Sequence, residues 1–294
     1  MSEPLDIDRI EGLLELALSE DVGPRDLTTE AVVPAEARAS GAFVARQAGV
    51  VAGGPVVEAV YQRLSSALAV RFFRREGEAF SPADVLGEVR GAAGPILTGE
   101  RVALNFLQRL SGVATRTRQY VEAVRAFGVE VFDTRKTTPA WRYLEKYAVR
   151  MGGGRNHRMG LYDQVLIKDN HIACVRPLGL LAELGPLIRE ARRQTPPGTV
   201  IEVEVASLEQ LPQALAGEPD ILLLDNMSVE TLTRAVALVG ERVPKGKRPI
   251  LEASGGVTLA TAALVAATGV DRISVGELTH SAPAIDIALE LTVE

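Results

Sequence analysis

The chain has 294 residues, 47% hydrophobic and 24% charged, with a formal net charge of −6. That length allows one large domain or two smaller ones with an ample core, and the composition excludes a disordered or fibrous chain. An acidic balance argues against broad binding to nucleic acid or anionic membrane, but local basic clusters can still take small anions.

A single cysteine, Cys174, excludes an intramolecular disulfide framework and a multi-cysteine metal site, and fits a reducing cytoplasm. The opening residues carry acidic groups through their apolar stripe, unlike a signal peptide. No stretch reaches the roughly 20 apolar residues that a membrane-spanning helix needs. A soluble, cytoplasmic protein is expected.

Leu5 to Leu18 has helical apolar spacing, and Glu20–Thr29 is polar and turn-rich. Ser40–Ala45, Val70–Phe73 and Leu86–Val89 read as short strands, with a helical stretch at Val56–Leu64. This first third is α+β. Gly99–Phe127 predicts a long helix, with Ser111-Gly112 as a candidate break. Beyond it, strands are expected at Val129–Asp133, Gln164–Lys168, Val200–Val205, Ile221–Leu224, Ile250–Ala253 and Arg272–Val275. Helical patterns lie between them at Ala140–Val149, Leu180–Gln194, Leu208–Leu215, Val229–Val239 and Leu259–Thr268. Such alternation implies right-handed crossovers and a parallel sheet.

An open doubly wound sheet is the rival to a barrel, since six or seven units fall short of eight. What favours the barrel is that nearly every strand ends in a chemically useful group, as α/β-barrel active sites do. Arg135-Lys136 follows one strand, flanked by threonines able to donate to phosphate or carboxylate oxygens. Met151-Gly-Gly-Gly-Arg-Asn-His-Arg-Met-Gly160 brings Arg155, His157 and Arg158 beside three glycines. Glycine lets backbone approach a ligand closely, and arginine suits planar, bidentate recognition of carboxylates. Solvated loops are the plainer alternative for both segments.

Lys168 ends the apolar run Val-Leu-Ile and needs a partner, which Glu204 or Asp225 can supply from other strand ends. The same carboxylates suit Mg²⁺, which favours oxygen and often bridges substrate phosphates; a structural ion-pair network is the alternative. Glu202 lies one pleat repeat from Glu204 and shares its face. Ser254-Gly255-Gly256 and Gly276 follow the last two strands, where barrels frequently bind phosphate through backbone N–H groups. His280 and Ser281 can close that pocket, although a lone histidine is as readily a cap or core residue. No nucleophilic triad, zinc motif or P-loop is present.

At these residues the chain resembles the quinolinate phosphoribosyltransferases. The motifs EDVGPRDLTT (20–29), GERVALNFLQRLSGVAT (99–115), DTRKTTP (133–139), GGGRNHRMGL (152–161), LIKDNH (166–171), EVEV (202–205), LDN (224–226), EASGGV (252–257) and SVGELTHS (274–281) carry the likeness almost end to end. The resemblance implies an N-terminal α/β sandwich (1–112), to which residues 282–294 return, and an incomplete seven-stranded parallel α/β barrel (113–281). It implies a homodimer in which Arg101 reaches the neighbour's site. Arg101, Arg135, His157 and Arg158 would bind the two quinolinate carboxylates, with Lys136 and Lys168 near substrate and phosphoribosyl group. Glu204 and Asp225 would contact ribose hydroxyls and Mg²⁺-pyrophosphate, and Ser254, Gly255, Gly256, Gly276 and His280 would hold the 5-phosphate. Alternatives are a relative taking nicotinate, a non-catalytic phosphosugar-binding barrel, and an isomerase on a phosphate-binding barrel.

Overall fold

The computed structural model describes residues 4–175, 183–244 and 246–294. The chain forms two compact units: Met1–Arg118 with Thr137–Gly153 and Leu278–Glu294, and Gln119–Lys136 with Gly154–Glu277.

The first unit opens with helices α1 (Glu11–Val22) and α2 (Leu27–Val32), followed by β1 (Arg38–Ala45), β2 (Gly49–Val50), α3 (Gly54–Leu64), β3 (Ala69–Phe72), β4 (Ala79–Phe80) and β5 (Val85–Ala92). Asp26 caps α2 by accepting the Thr29 N–H at 2.9 Å, satisfying a donor that the first helical turn leaves unpaired. Helix α4 (Ala93–Val124) comes next, then β6 (Glu130–Phe132), which belongs to the second unit, and α5 (Arg142–Met151), which belongs to the first. The second unit continues with β7 (Val165–Ile167), α6 (Asp169–Val175), α7 (Leu184–Gln194), β8 (Ile201–Val205), α8 (Leu211–Leu215), β9 (Ile221–Asp225), α9 (Val229–Arg242), β10 (Ile250–Ser254), α10 (Leu259–Ala266) and β11 (Arg272–Ser274). Short α11 (Glu277–His280) and β12 (Ile287–Val293) complete the chain. The first three residues of the helix expected from Leu180 lie outside the described residues.

In the first unit the sheet order is β12-β1-β5-β3, so the chain's last strand pairs with its first. Helix α3 buries Val56, Val57, Val60 and Tyr61, and Phe43 stacks on Phe72 with ring centroids 5.7 Å apart. The expected break at Ser111-Gly112 is absent: α4 runs unbroken for 32 residues and starts earlier than the pattern suggests. Pro95 lies in its first turn, where a missing N–H costs nothing. Gly112 is a packing notch instead, because a Cβ there would meet the Pro283 carbonyl oxygen at 2.0 Å.

Residues 137–153, grouped with the barrel on sequence grounds, join the first unit. The reason lies in α5, which buries Leu144, Tyr147, Ala148 and Val149. Its fully buried Glu145 accepts from Arg109 Nη2 at 2.7 Å and from the Thr138 N–H at 3.0 Å.

The second unit is a six-stranded parallel sheet in the order β6-β11-β10-β9-β8-β7. Strands β7 to β11 are neighbours in sequence order, and β6, the first, lies against β11, the last. That winding is a barrel's, whereas a doubly wound sheet reverses its order midway. All six expected strands form, to within a residue at either end. The seventh does not: its place is taken by a single parallel bridge between Arg155 and Phe132. There the Arg155 N–H donates to Val131 O at 2.7 Å and the Asp133 N–H to Arg155 O at 3.1 Å. Gly152 to Gly154 allow this approach but bring no side chains to extend a strand. Among the described residues no ladder joins Arg155 to β7, and no helix is long and apolar enough to cross a membrane.

Gly112→Ala is expected to destabilise the protein by about 1–3 kcal/mol, the usual cost of overpacking, because the added methyl meets backbone. A lower midpoint in urea unfolding checks it.

Candidate active site

Side chains two residues apart on a strand share a face, and the barrel strands use this rule to stack two tiers. The outer tier is Lys168, Glu204, Asp225, Ser254 and Ser274; the inner, two residues earlier on each strand, is Leu166, Glu202, Leu223, Glu252 and Arg272. All five inner residues are buried.

A cavity of about 410 Å³ opens on this end of the sheet. Its walls include Arg135, Lys136, His157, Arg158, Lys168, Asp225, Glu252, Ser254, Gly255 and Gly256. Four cations therefore face two carboxylates across one space. Lys168 donates to Glu204 Oε2 at 2.8 Å, one of the two partners expected for it. Glu204 lies behind this ion pair, with its side chain 12% exposed. Asp225 accepts from its neighbour Asn226 at 3.1 Å.

The Ser254-Gly255-Gly256 turn needs its glycines. Both have positive φ, +86° and +64°, and a Cβ on Gly255 would meet Asn226 Oδ1 at 2.3 Å. The Asn226 N–H in turn donates to Ser254 O at 2.9 Å.

Arg158 is held by a bond from Nη1 to Gln164 O at 3.0 Å. Burial first, and then the charge of Arg135, pulls its pKa below the ordinary guanidinium value. Two cations that disfavour one another lower an anion's cost of entry.

His157 is fixed by the loop around it. Buried Asp133 accepts the His157 N–H at 2.7 Å and the Asn156 amide at 2.8 Å. The ring Nδ1 accepts the Arg158 N–H at 2.8 Å, and Nε2 lies 3.0 Å from Glu202 Oε2 and 3.7 Å from Glu252 Oε1. Both ring nitrogens thus face protein groups. Arg272 Nε donates to Glu252 Oε2, with its guanidinium 4.5 Å from the centroid of the Phe132 ring.

His157, Glu202 and Glu252 offer ligand atoms within 4.8 Å of one another, a spacing that would admit a cation. Arg272 already supplies positive charge there. For Mg²⁺ the outer tier fits better: one or two carboxylates open to a site that brings its own phosphate oxygens is the usual magnesium arrangement.

Not every expected residue lines this cavity. Gly276 is half-buried just after β11 and is not among the wall residues. Arg101, exposed on α4, and His280, exposed with Nδ1 2.6 Å from Ser281 Oγ, belong to the first unit. Sequence reasoning passed over Arg272 and Gln164, which donate to the buried carboxylates Glu252 and Glu202. The signal for Arg272 was available: it stands two residues before Ser274, on the same face.

The sequence pattern of the quinolinate phosphoribosyl transferase C-terminal domain matches residues 113–290, and that of the N-terminal domain residues 26–111. The chain is 42% identical to the carboxylating nicotinate-nucleotide pyrophosphorylase of Mycobacterium leprae, covering 99% of this chain and 100% of that one. It is 35% identical to a mitochondrial decarboxylating quinolinate phosphoribosyltransferase (2a) of Nicotiana tabacum, over 97% of this chain and 83% of the relative. The crystal structure of NadC from Streptococcus pyogenes superposes with a TM-score of 0.92 at 38% identity, over the whole of both chains. With both domains matched and relatives of this identity covered nearly end to end, the chain belongs to the quinolinate phosphoribosyltransferase family.

Proposed function

We propose that the chain catalyses the reaction its relatives are named for. The phosphoribosyl group of phosphoribosyl diphosphate passes to quinolinate with decarboxylation, giving nicotinate mononucleotide, pyrophosphate and CO₂ for NAD biosynthesis. The observation that carries this reading is the gathering of Arg135, Lys136, Arg158 and Lys168 around one cavity in a chain of net charge −6. Both substrates are polyanions.

In the proposed mechanism Arg135 and Arg158 hold the quinolinate carboxylates, with His157 at the floor and Arg101 supplied by the partner protomer of a homodimer. The Ser254-Gly255-Gly256 turn, with Gly276, takes the 5-phosphate. The pyridine nitrogen attacks the anomeric carbon, the bond to pyrophosphate breaks, and positive charge develops on the ribose. Glu204 and Asp225 contact the ribose hydroxyls and stabilise that charge, while Lys136 and Lys168 offset the phosphates. Mg²⁺, when bound with pyrophosphate near Asp225 and Glu204, supplies charge neutralisation of the leaving group. The alkylated ring is an electron sink, so the carboxylate beside the nitrogen leaves as CO₂ and its electron pair takes a proton. No organic cofactor is needed. Exposed, unpaired Cys174 is compatible with the cytoplasmic location we assign.

Incubation with quinolinate, phosphoribosyl diphosphate and Mg²⁺ should yield equal amounts of nicotinate mononucleotide and CO₂, and chelation should stop turnover. Preference for nicotinate over quinolinate would overturn the choice of a diacid. Lys136→Ala and Glu204→Ala should each lower kcat/KM at least about tenfold, the scale of one lost charge-assisted contact. Mixing Arg101→Ala with Lys136→Ala protomers tests the shared site. Each mixed dimer would regain one native site, so activity should rise above that of either parent; no recovery after proven subunit exchange means that Arg101 acts within its own chain.

A further inference from the structure

Beneath a cavity suited to a dianion lie two fully buried carboxylates, Glu202 and Glu252. On charge alone this is the wrong sign, because each would repel the ligand above it. A compensating arrangement is visible in the contacts. Arg272 Nε donates to Glu252 Oε2, and its Nη2 lies 3.8 Å from Glu202 Oε1. Burial, and then the charge of Glu202, pushes the Glu252 carboxyl above its ordinary pKa, which favours its neutral form. One guanidinium thus faces both buried carboxyls.

What the arrangement holds in place is His157. Its Nδ1 accepts the Arg158 N–H at 2.8 Å and its Nε2 lies 3.0 Å from Glu202 Oε2, so the two partners together place the ring proton on Nε2. The same Glu202 oxygen accepts from Gln164 Nε2, and Gln164 O receives Arg158 Nη1 at 3.0 Å. A single carboxylate thus sets the ring directly and reaches Arg158 through Gln164.

We propose that Glu202 is a positioning residue for quinolinate: it fixes the plane and the Nε2–H tautomer of His157, and steadies Arg158, from beneath the cavity. This rests on the assignment of His157 and Arg158 to the quinolinate site. Arg272 and Glu252 supply the charge balance that permits a carboxylate there. A network serving stability alone would lower the unfolding midpoint when cut, but would leave the tautomer and ligand affinity of the folded protein as they were.

The experiment uses the full-length protein and three variants: Glu202→Ala, Glu202→Gln and His157→Ala. Nitrogen-15 NMR reads the tautomer of His157, one of three histidines in the chain. Titration reads the Kd for quinolinate, and steady-state kinetics the KM for phosphoribosyl diphosphate. Glu202→Ala should shift His157 away from pure Nε2–H and weaken quinolinate binding about tenfold or more, the usual scale for a lost hydrogen bond to a charged group. The KM for phosphoribosyl diphosphate should stay within about twofold. Glu202→Gln keeps an acceptor of the same shape, so it should retain the tautomer and restore most of the affinity; it also serves if the alanine variant does not fold. A folded Glu202 variant with no acceptor, an unchanged His157 tautomer and unchanged quinolinate affinity would overturn the proposal. Unchanged quinolinate affinity in His157→Ala would instead overturn the placement of His157 in that site, and the proposal with it.

Discussion

Strand side chains repeat every two residues, and the whole candidate site depends on that constraint. Because Lys168, Glu204, Asp225, Ser254 and Ser274 face the cavity end, the residues two positions earlier must point to the same interior, one layer down. Three of those five are Glu202, Glu252 and Arg272, so a polar outer layer rests on a charged inner one. In a low-dielectric interior such groups are tolerated only when paired or neutralised. The inner layer therefore has to be solved as a unit, and the contacts of Arg272, Gln164 and His157 are that solution.

The same constraint explains how much could be read from sequence. Strand ends were legible because a polar residue after an apolar run marks where a buried strand meets an open face, as at Val165–Lys168 and Ile221–Asp225. That Lys168 needs a carboxylate from another strand end followed from the cost of an unpaired ammonium, although the choice between Glu204 and Asp225 did not. Arg272 was legible only in part: its place two residues before Ser274 puts it on the same face, but an arginine at the start of a short strand also reads as a solvated end. Register between β10 and β11 sets Glu252 directly opposite Arg272, and pairing partners cannot be seen in a linear pattern.

Glycine accounts for two features elsewhere that the linear pattern left open. Gly112 suggested a helix break because glycine weakens an isolated helix, yet tertiary packing decided the matter, with the returning segment at Pro283 occupying the space a side chain would need. The glycines at 152–154 suggested close approach of backbone to a ligand, and His157 and Arg158 just beyond them do line the cavity. There the chain makes a single bridge at Arg155 and then turns, so the seventh strand of the barrel never extends. At Gly255 close approach and left-handed backbone coincide, as the sequence pattern had implied.

An acidic chain that takes polyanions has to concentrate cations without letting them disperse its own fold. Arg135, Lys136, Arg158 and Lys168 all line one cavity, and two of them are anchored differently. Lys168 is held by Glu204, Arg158 by a carbonyl oxygen. A carbonyl steadies a guanidinium without cancelling its charge, whereas a carboxylate cancels it. Arg158 therefore keeps its charge toward the cavity, whereas Lys168 is part of a pair. The two anchors thus differ in kind, one a carboxylate and one a carbonyl dipole, although both cations face the same cavity.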